Sequence, residues 1–509
     1  MTKNIERNKN LKLNTISSLG YQLVNIICNF ILPRLILGAY GSVVNGLVNS
    51  ITQFLQVIGF LELGVGSVVQ SALYKPLAEK NYESVSKVVA SAQKYFRCIS
   101  YILLGYIVVL VVVYPFFAEQ NFSWIYTVLL ILSMSISSFA QYYFGLVDSL
   151  LLSADQHGYI QYITQIITLV LNTVACVLLI SFGAGIHAVK LTTSIFFMLR
   201  PLVFRIYIKR YYSIDRKIKY TEEPIKQKWN GIAQHIAAVV LDGTDVVVLT
   251  LFSTLSNVSI YSVYHLVING IRGLFVSLTN GIKSLIGELW AKQELDTLNH
   301  TFGWFEWILH TGTVFIFGCT AVLIVPFIQV YTSGFTDANY IQPIFAVLIT
   351  MAYAGYCLRL PYSVMILAGG HYKQTQSNYI IAVVINILVS VTTVIVWGLV
   401  GVALGTLVAM IYQTVWMAYY ISKNLNKWPF KNFIKQILVD IVSVILASMA
   451  SCWIKLFAIN YISWILMGIQ VAVIWLIIII AVNLVFYREQ VLKLFSKVFK
   501  RKIRNHVSS

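Results

Sequence analysis

The sequence predicts an all-α integral membrane fold, from three observations. The chain carries too few charges for a soluble protein of its size, its apolar stretches are long enough to span a bilayer, and its connections alternate between basic and neutral. Of its 509 residues 58% are hydrophobic and 11% charged, where a soluble domain carries about 25% charged residues. A helix needs roughly 20 mostly apolar residues to cross the hydrocarbon core, and counting such stretches gives about fourteen spans. In chain order they cover 14–37, 44–66, 97–118, 123–151, 161–181, 186–208, 230–252, 259–286, 304–329, 343–367, 377–397, 400–421, 434–456 and 462–486.

The basic connections are the N-terminus (Lys3, Arg7, Lys9, Lys12), the segments Lys75–Arg97 and Lys209–Lys228, and the residues Lys292 and Lys373. They continue with Lys423, Lys427, Lys431, Lys435 and the tail Arg488–Arg504. Between them lie Gly38–Val43, Glu119–Ser123, Ser181–Gly185, Ser253–Val258, Tyr331–Pro343, Trp397–Val400 and Phe457–Tyr461, none containing Lys or Arg. Basic loops stay cytoplasmic. Both termini are therefore expected in the cytoplasm of a multi-pass cell-membrane protein, with an even number of spans.

The same asymmetry accounts for the net charge of +18. In a soluble chain that excess would suggest nucleic acid; here it sits on one face of a membrane, and no nucleic-acid partner is expected. Cys28, Cys98, Cys176, Cys319, Cys357 and Cys452 are far apart and show no metal-ligand spacing, so they read as buried small apolar residues. No metal or cofactor is expected. The polar head Met1–Asn14 leads into a full-length span and predicts no cleavable signal. The outer loops are too short for a catalytic domain, which argues against an enzyme.

Similar segments recur at an offset near 215 residues. Leu63–Val69 matches Asn280–Ile286, Ala154-Asp155-Gln156-His157 matches Ala368-Gly369-Gly370-His371, and Asn172 matches Asn386. This predicts two six-helix lobes, 1–215 and 216–430, related by a pseudo-two-fold axis. Helices 13–14 at 431–487 and a basic cytoplasmic tail at 488–509 follow. Parallel six-span repeats around a cavity are a transporter architecture.

Charge inside a span costs about 2.5–3.5 kcal/mol on insertion scales, so it faces a partner or water. Arg34, Lys190, Arg200, Arg272, Arg359 and Lys455 lie within spans. Arg272 is roughly 18 Å from either end of its span at 1.5 Å per residue, too deep to snorkel. Arg34 is near an outer end, and Lys455 reads as an interfacial anchor. Arg200 and Arg359 stand close to Pro201 and Pro361, which loosen their helices. Guanidinium forks suit phosphate oxygens, so an anionic cargo fits better than a cationic one. Glu62, Asp148, Asp242, Asp245, Glu288 and Asp440 are acidic residues in spans or at their ends. Asp242 and Asp245 share a helix face and either flank an arginine such as Arg272 or hold a proton. Glu62 and Glu288 are gate candidates near inner span ends. His235, His265 and His310 read as hydrogen-bonded packing residues.

Four stretches carry a family resemblance: Pro33–Gly41 running on through Asn45-Gly46-Leu47; Glu62–Ser67 with Leu73–Ala78; Asp242-Gly243-Thr244-Asp245; and Tyr261–Tyr264 with Gly287-Glu288-Leu289. Over nearly its full length the chain resembles the bacterial polysaccharide-repeat flippases of the Wzx type, within the multidrug/oligosaccharidyl-lipid/polysaccharide exporter superfamily. The resemblance implies a cargo of undecaprenyl-pyrophosphate-linked oligosaccharide, flipped outward for capsule, exopolysaccharide or O-antigen assembly. It implies two lobes rocking around a cationic cavity, with Arg272 and Arg34 toward the pyrophosphate and Arg359, Arg200 and Lys190 as further cavity cations. A proton or sodium gradient would drive the cycle through Asp242 and Asp245, with a polysaccharide polymerase and assembly proteins as partners. Lipid II flippases carry charge in the inner half of span one; residues 14–30 here carry none, which shifts weight away from lipid II. A drug or cation antiporter of the same superfamily and a membrane glycan polymerase are the competing functions.

Overall fold

The computed structural model describes residues 2–61, 65–118, 122–225, 232–494 and 496, and every regular element among them is helical. Eleven helices among the described residues are long and apolar enough to cross a membrane. The first, Lys12–Gly59, is 48 residues long and carries two of the expected spans. The outer loop expected at 38–43 is not a loop: α1 (Thr2–Gln56) runs through it, and Gly41 leaves helical geometry at φ 81 and ψ 175. A side chain would be strained there, so glycine allows the break without extra residues.

By packing, the chain forms two units, Met1–Ser262 and Val263–Ser509. The first holds α1, α2 (Val65–Ala78), α3 (Tyr82–Val113), α4 (Pro115–Ala118), α5 (Trp124–Ala140), α6 (Leu146–Ala154), α7 (Gly158–Ser181), α8 (Ile186–Tyr211) and α9 (Ile232–Phe252). The division falls within α10 (Leu255–Ala291). The expected spans 230–252 and 259–286 overlap α9 and α10, which are not among those eleven helices, and residues 230–231 lie outside the described residues. Helix α9 clusters with the first unit because it packs on α1: Ser50 Oγ lies 2.7 Å from Thr250 Oγ1. Near the start of α10, Asn45 Nδ2 donates to Ser259 Oγ at 2.8 Å. A Cβ on Gly46 would overlap the Leu255 carbonyl, so the Asn45-Gly46 pair is the condition for this crossing.

The segment 75–97, expected as a connection, is mostly helical. Asn81 caps α3 by accepting from the Ser84 N–H at 3.0 Å. Val85, Val88, Val89 and Ala92 are buried, so apolar residues at helical spacing hold this polar stretch against the unit. Helices α5 and α6 are joined by a π turn, Gln141–Gly145, into the one span expected at 123–151.

The second unit contains α11 (Leu295–Tyr331), α12 (Pro343–Ala368), α13 (Tyr372–Trp397), α14 (Leu399–Asn424), α15 (Phe430–Ser451) and α16 (Tyr461–Phe486). Helix α16 docks on α11 through Trp475, which is buried and donates from Nε1 to Ser451 Oγ at 3.2 Å. Opposite it, a Cβ on Gly318 would stand 1.7 Å from Trp475 Cζ3. Gly318→Val is therefore expected to destabilise this unit by about 1–3 kcal/mol through overpacking. A thermal melt of the purified variant checks it, and an unchanged melting temperature would show that the indole moves freely.

Two of the matched segments have similar local structure. Gln156 and Gly370 both have positive φ, 61 and 72. His157 N donates to Leu152 O and His371 N to Ile366 O, closing the same helix-ending turn. Asn172 and Asn386 are both buried. Many large apolar side chains face outward, including Leu23, Val108, Ile395 and Val485; a bilayer is the solvent that accepts such a surface. The cysteines differ from expectation: Cys98 and Cys452 are exposed, and the other four are buried. Cys98 lies on the outward side of α3, and Cys452 stands at the end of α15 where packing stops.

Candidate functional site

Helix α12 places Tyr353, Tyr356 and Arg359 three residues apart, on one stripe. Helix α10 places Arg272 against that stripe. Its guanidinium carbon lies 5.6 Å from the Tyr353 ring centroid and 5.1 Å from that of Tyr356. The Arg359 carbon lies 4.5 Å from the Tyr356 centroid. Two cations thus share one aromatic ring. Two turns earlier on α10, His265 Nε2 is 2.9 Å from the Tyr353 hydroxyl and fixes that ring.

Arg359 is 6% exposed, and its Nε and Nη1 have no hydrogen-bond partner. No ion pair to it occurs among the described residues. Ring faces hold a guanidinium flat while leaving its N–H edge directed in plane. A buried charged donor left unmade is costly. A group with two acceptor oxygens could fill these donors with forked bonds.

The other expected cavity residues lie in the first unit. Arg34 is half-buried in α1, beside Pro33. Arg200 on α8 donates from Nε to Thr168 Oγ1 at 2.8 Å, and its guanidinium lies 3.8 Å from the Phe197 centroid. Lys190 is half-buried on the same helix. Asp245 is buried and accepts from the Tyr261 hydroxyl at 2.9 Å. Glu288 is exposed and pairs with Lys292 one turn on. Glu62 and the Asp242 side chain lie outside the described residues.

Two polar clusters were not recognised from sequence. In the first unit, fully buried Asp148 meets Arg216 at 2.8 Å and Arg205 at 3.9 Å, so the segment after α8 folds back onto α6. Nearby, Tyr212 donates to Asp155 at 2.6 Å; burial, then that carboxylate, pushes its phenol well up, so it remains a donor. In the second unit, Glu306, His310, Tyr362 and Asp440 form one buried chain of contacts. The signal available was Glu306 and His310 one turn apart in an apolar span.

No family model matches the sequence, and no curated relative matches it. Solved structures do share its fold. A lipid II flippase MurJ in an inward closed conformation superposes with a TM-score of 0.68 at 17% identity, covering 94% of this chain and 99% of that one. An inward-facing multidrug resistance MATE family transporter of the MOP superfamily gives 0.60 at 14% identity, covering 80% and 96%. The eukaryotic MATE transporter AtDTX14 gives 0.58 at 12% identity, covering 85% and 99%. The chain therefore shares the fold of these membrane transporters and flippases. Within that class the likeness is one of fold.

Proposed function

We propose that the chain is a flippase for undecaprenyl-pyrophosphate-linked oligosaccharide units, carrying them from the cytoplasmic to the outer leaflet by alternating access. It would work in the cell membrane with both termini cytoplasmic, and supply a polysaccharide polymerase and its assembly proteins in capsule, exopolysaccharide or O-antigen synthesis. The lobes 1–215 and 216–430 would be the rocking bodies. The observation that carries this reading is the Arg272–Tyr356–Arg359 cluster, in which buried Arg359 keeps two unmade donors. A cationic drug would be repelled there, whereas a pyrophosphate supplies the missing acceptors. Lipid II shares the pyrophosphate, and the flippase fold supports it equally. The uncharged stretch 14–30 favours a different glycan.

Deleting the protein is expected to leave lipid-linked repeats on the inner leaflet. Labelling of glycan on intact cells, with and without permeabilisation, measures this. Normal outside exposure in the deletion strain would end the proposal.

A further inference from the structure

In the second unit, five short contacts link three helices and a loop. Trp428 Nε1 donates to Glu306 Oε2 at 2.9 Å. Glu306 Oε1 is 2.7 Å from the Tyr362 hydroxyl, which is 3.0 Å from His310 Nε2. His310 Nδ1 is 2.6 Å from Asp440 Oδ2, and Gln436 Nε2 donates to Asp440 Oδ1 at 3.1 Å. His310 and Tyr362 are 0% exposed, Glu306 4% and Asp440 7%. Both imidazole nitrogens find a polar partner, which fixes the ring orientation.

Hydrogen counting then decides the protonation. The contacts Glu306–Tyr362, Tyr362–His310 and His310–Asp440 each need one hydrogen between two heteroatoms. A neutral tyrosine supplies one and a neutral histidine one. The third must be an added proton, on Glu306 beside neutral His310, on His310 between two ionised carboxylates, or on Asp440 beside neutral His310. The first two forms interconvert through Tyr362: its oxygen takes the Glu306 proton as its own hydrogen passes to His310 Nε2. With the added proton the carboxylates and imidazole together carry one negative charge. Without it they carry two on buried groups, and two lone pairs face each other, which is strongly unfavourable.

Glu306 and Gln436 also line a cavity of about 590 Å³, whose other residues include His300, Lys435, Arg488, Glu489 and Lys493. This is the basic side of the chain, expected to be cytoplasmic. The charged and titratable groups near the network are few. On α11 they are Glu306 and His310, on α12 Tyr362 and on α15 Asp440. Beyond α16, Tyr487 is close enough to feel both carboxylates. Lys435 stands 4.4 Å from the Tyr487 ring centroid and donates to Phe486 O at 3.2 Å.

We propose that Glu306, Tyr362, His310 and Asp440 form a proton-binding site, loaded from this cavity, that couples a proton gradient to the transport cycle. Loss of the proton must accompany separation of α11, α12 and α15 or entry of water, because the closed network does not tolerate the second charge. The proton stands on geometry alone; its use as a driving force rests on the proposed function.

The experiment has two arms, both on the full-length protein in lipid. Infrared difference spectra across a pH jump should show a carboxyl or imidazolium band that titrates in wild type and is absent from both Glu306→Gln and His310→Gln. If no band depends on both residues, the site is overturned. In proteoliposomes, flipping of the lipid-linked glycan should accelerate under an imposed pH gradient, by up to about tenfold per pH unit for one proton. Glu306→Gln should lose that acceleration while keeping gradient-free exchange. Tyr362→Phe, which keeps the ring and removes the relay hydroxyl, should do the same and covers the case of a misfolded Glu306→Gln. A wild-type rate indifferent to the gradient would refute the coupling. A chain that moves no lipid-linked glycan would refute the proposed function and leave the infrared result standing.

Discussion

Arg359→Met is expected to raise the melting temperature and lower glycan export together. The side chain is 6% exposed with two donor positions unfilled. Burying a charge without its hydrogen bonds costs stability, and an apolar side chain of similar volume removes that cost. A residue kept for the fold would behave in the opposite way. The loss in transport should be large, since charge-assisted hydrogen bonds are worth about 1.5–3 kcal/mol, or roughly ten- to hundredfold in rate or affinity. Arg272→Ala and Arg272→Glu should fall at least as far, and Arg272→Lys should retain part, because lysine keeps the charge but loses the fork. Thermal melts and a flipping assay on the same preparations measure both signs. A lowered melting temperature with export intact would make Arg359 a structural residue.

Asp148→Ala is the substitution expected to damage the first unit most. Asp148 is fully buried, and its partner Arg216 is largely buried too. Removing one member of such a pair leaves the other uncompensated, at about 3–5 kcal/mol. The segment 212–225 should then detach from α6, and expression in the membrane should fall. The double variant Asp148→Leu with Arg216→Met should recover most of the loss, since replacing both members by apolar groups is near neutral. Equal damage in the single and double variants would mean that the carboxylate acts through something other than Arg216. Limited proteolysis at 212–225 reports the detachment directly.

These two arginines differ in how far the sequence exposed their role. Arg359 was visible as an embedded cation near a proline, because an apolar span makes any charge conspicuous. Arg216 sits in a segment already rich in Lys and Arg, where nothing distinguishes the one that pairs with Asp148 from its solvated neighbours. The α1 break shows a similar limit. Hydropathy placed two spans around Gly41, but only backbone geometry showed that the connection is a single glycine.

The helical membrane class, most of the span positions and the presence of costly embedded charge were legible in the sequence. Each of these is written in local composition: the length of an apolar run and the charges that interrupt it. Only the tertiary structure decided which charges meet. That Arg272 and Arg359 share the Tyr356 ring, and that Glu306 reaches Asp440 through a tyrosine and a histidine on other helices, depends on helix rotation and packing distance. Those follow from how side chains interlock between residues distant in the chain, 130 positions apart for His310 and Asp440.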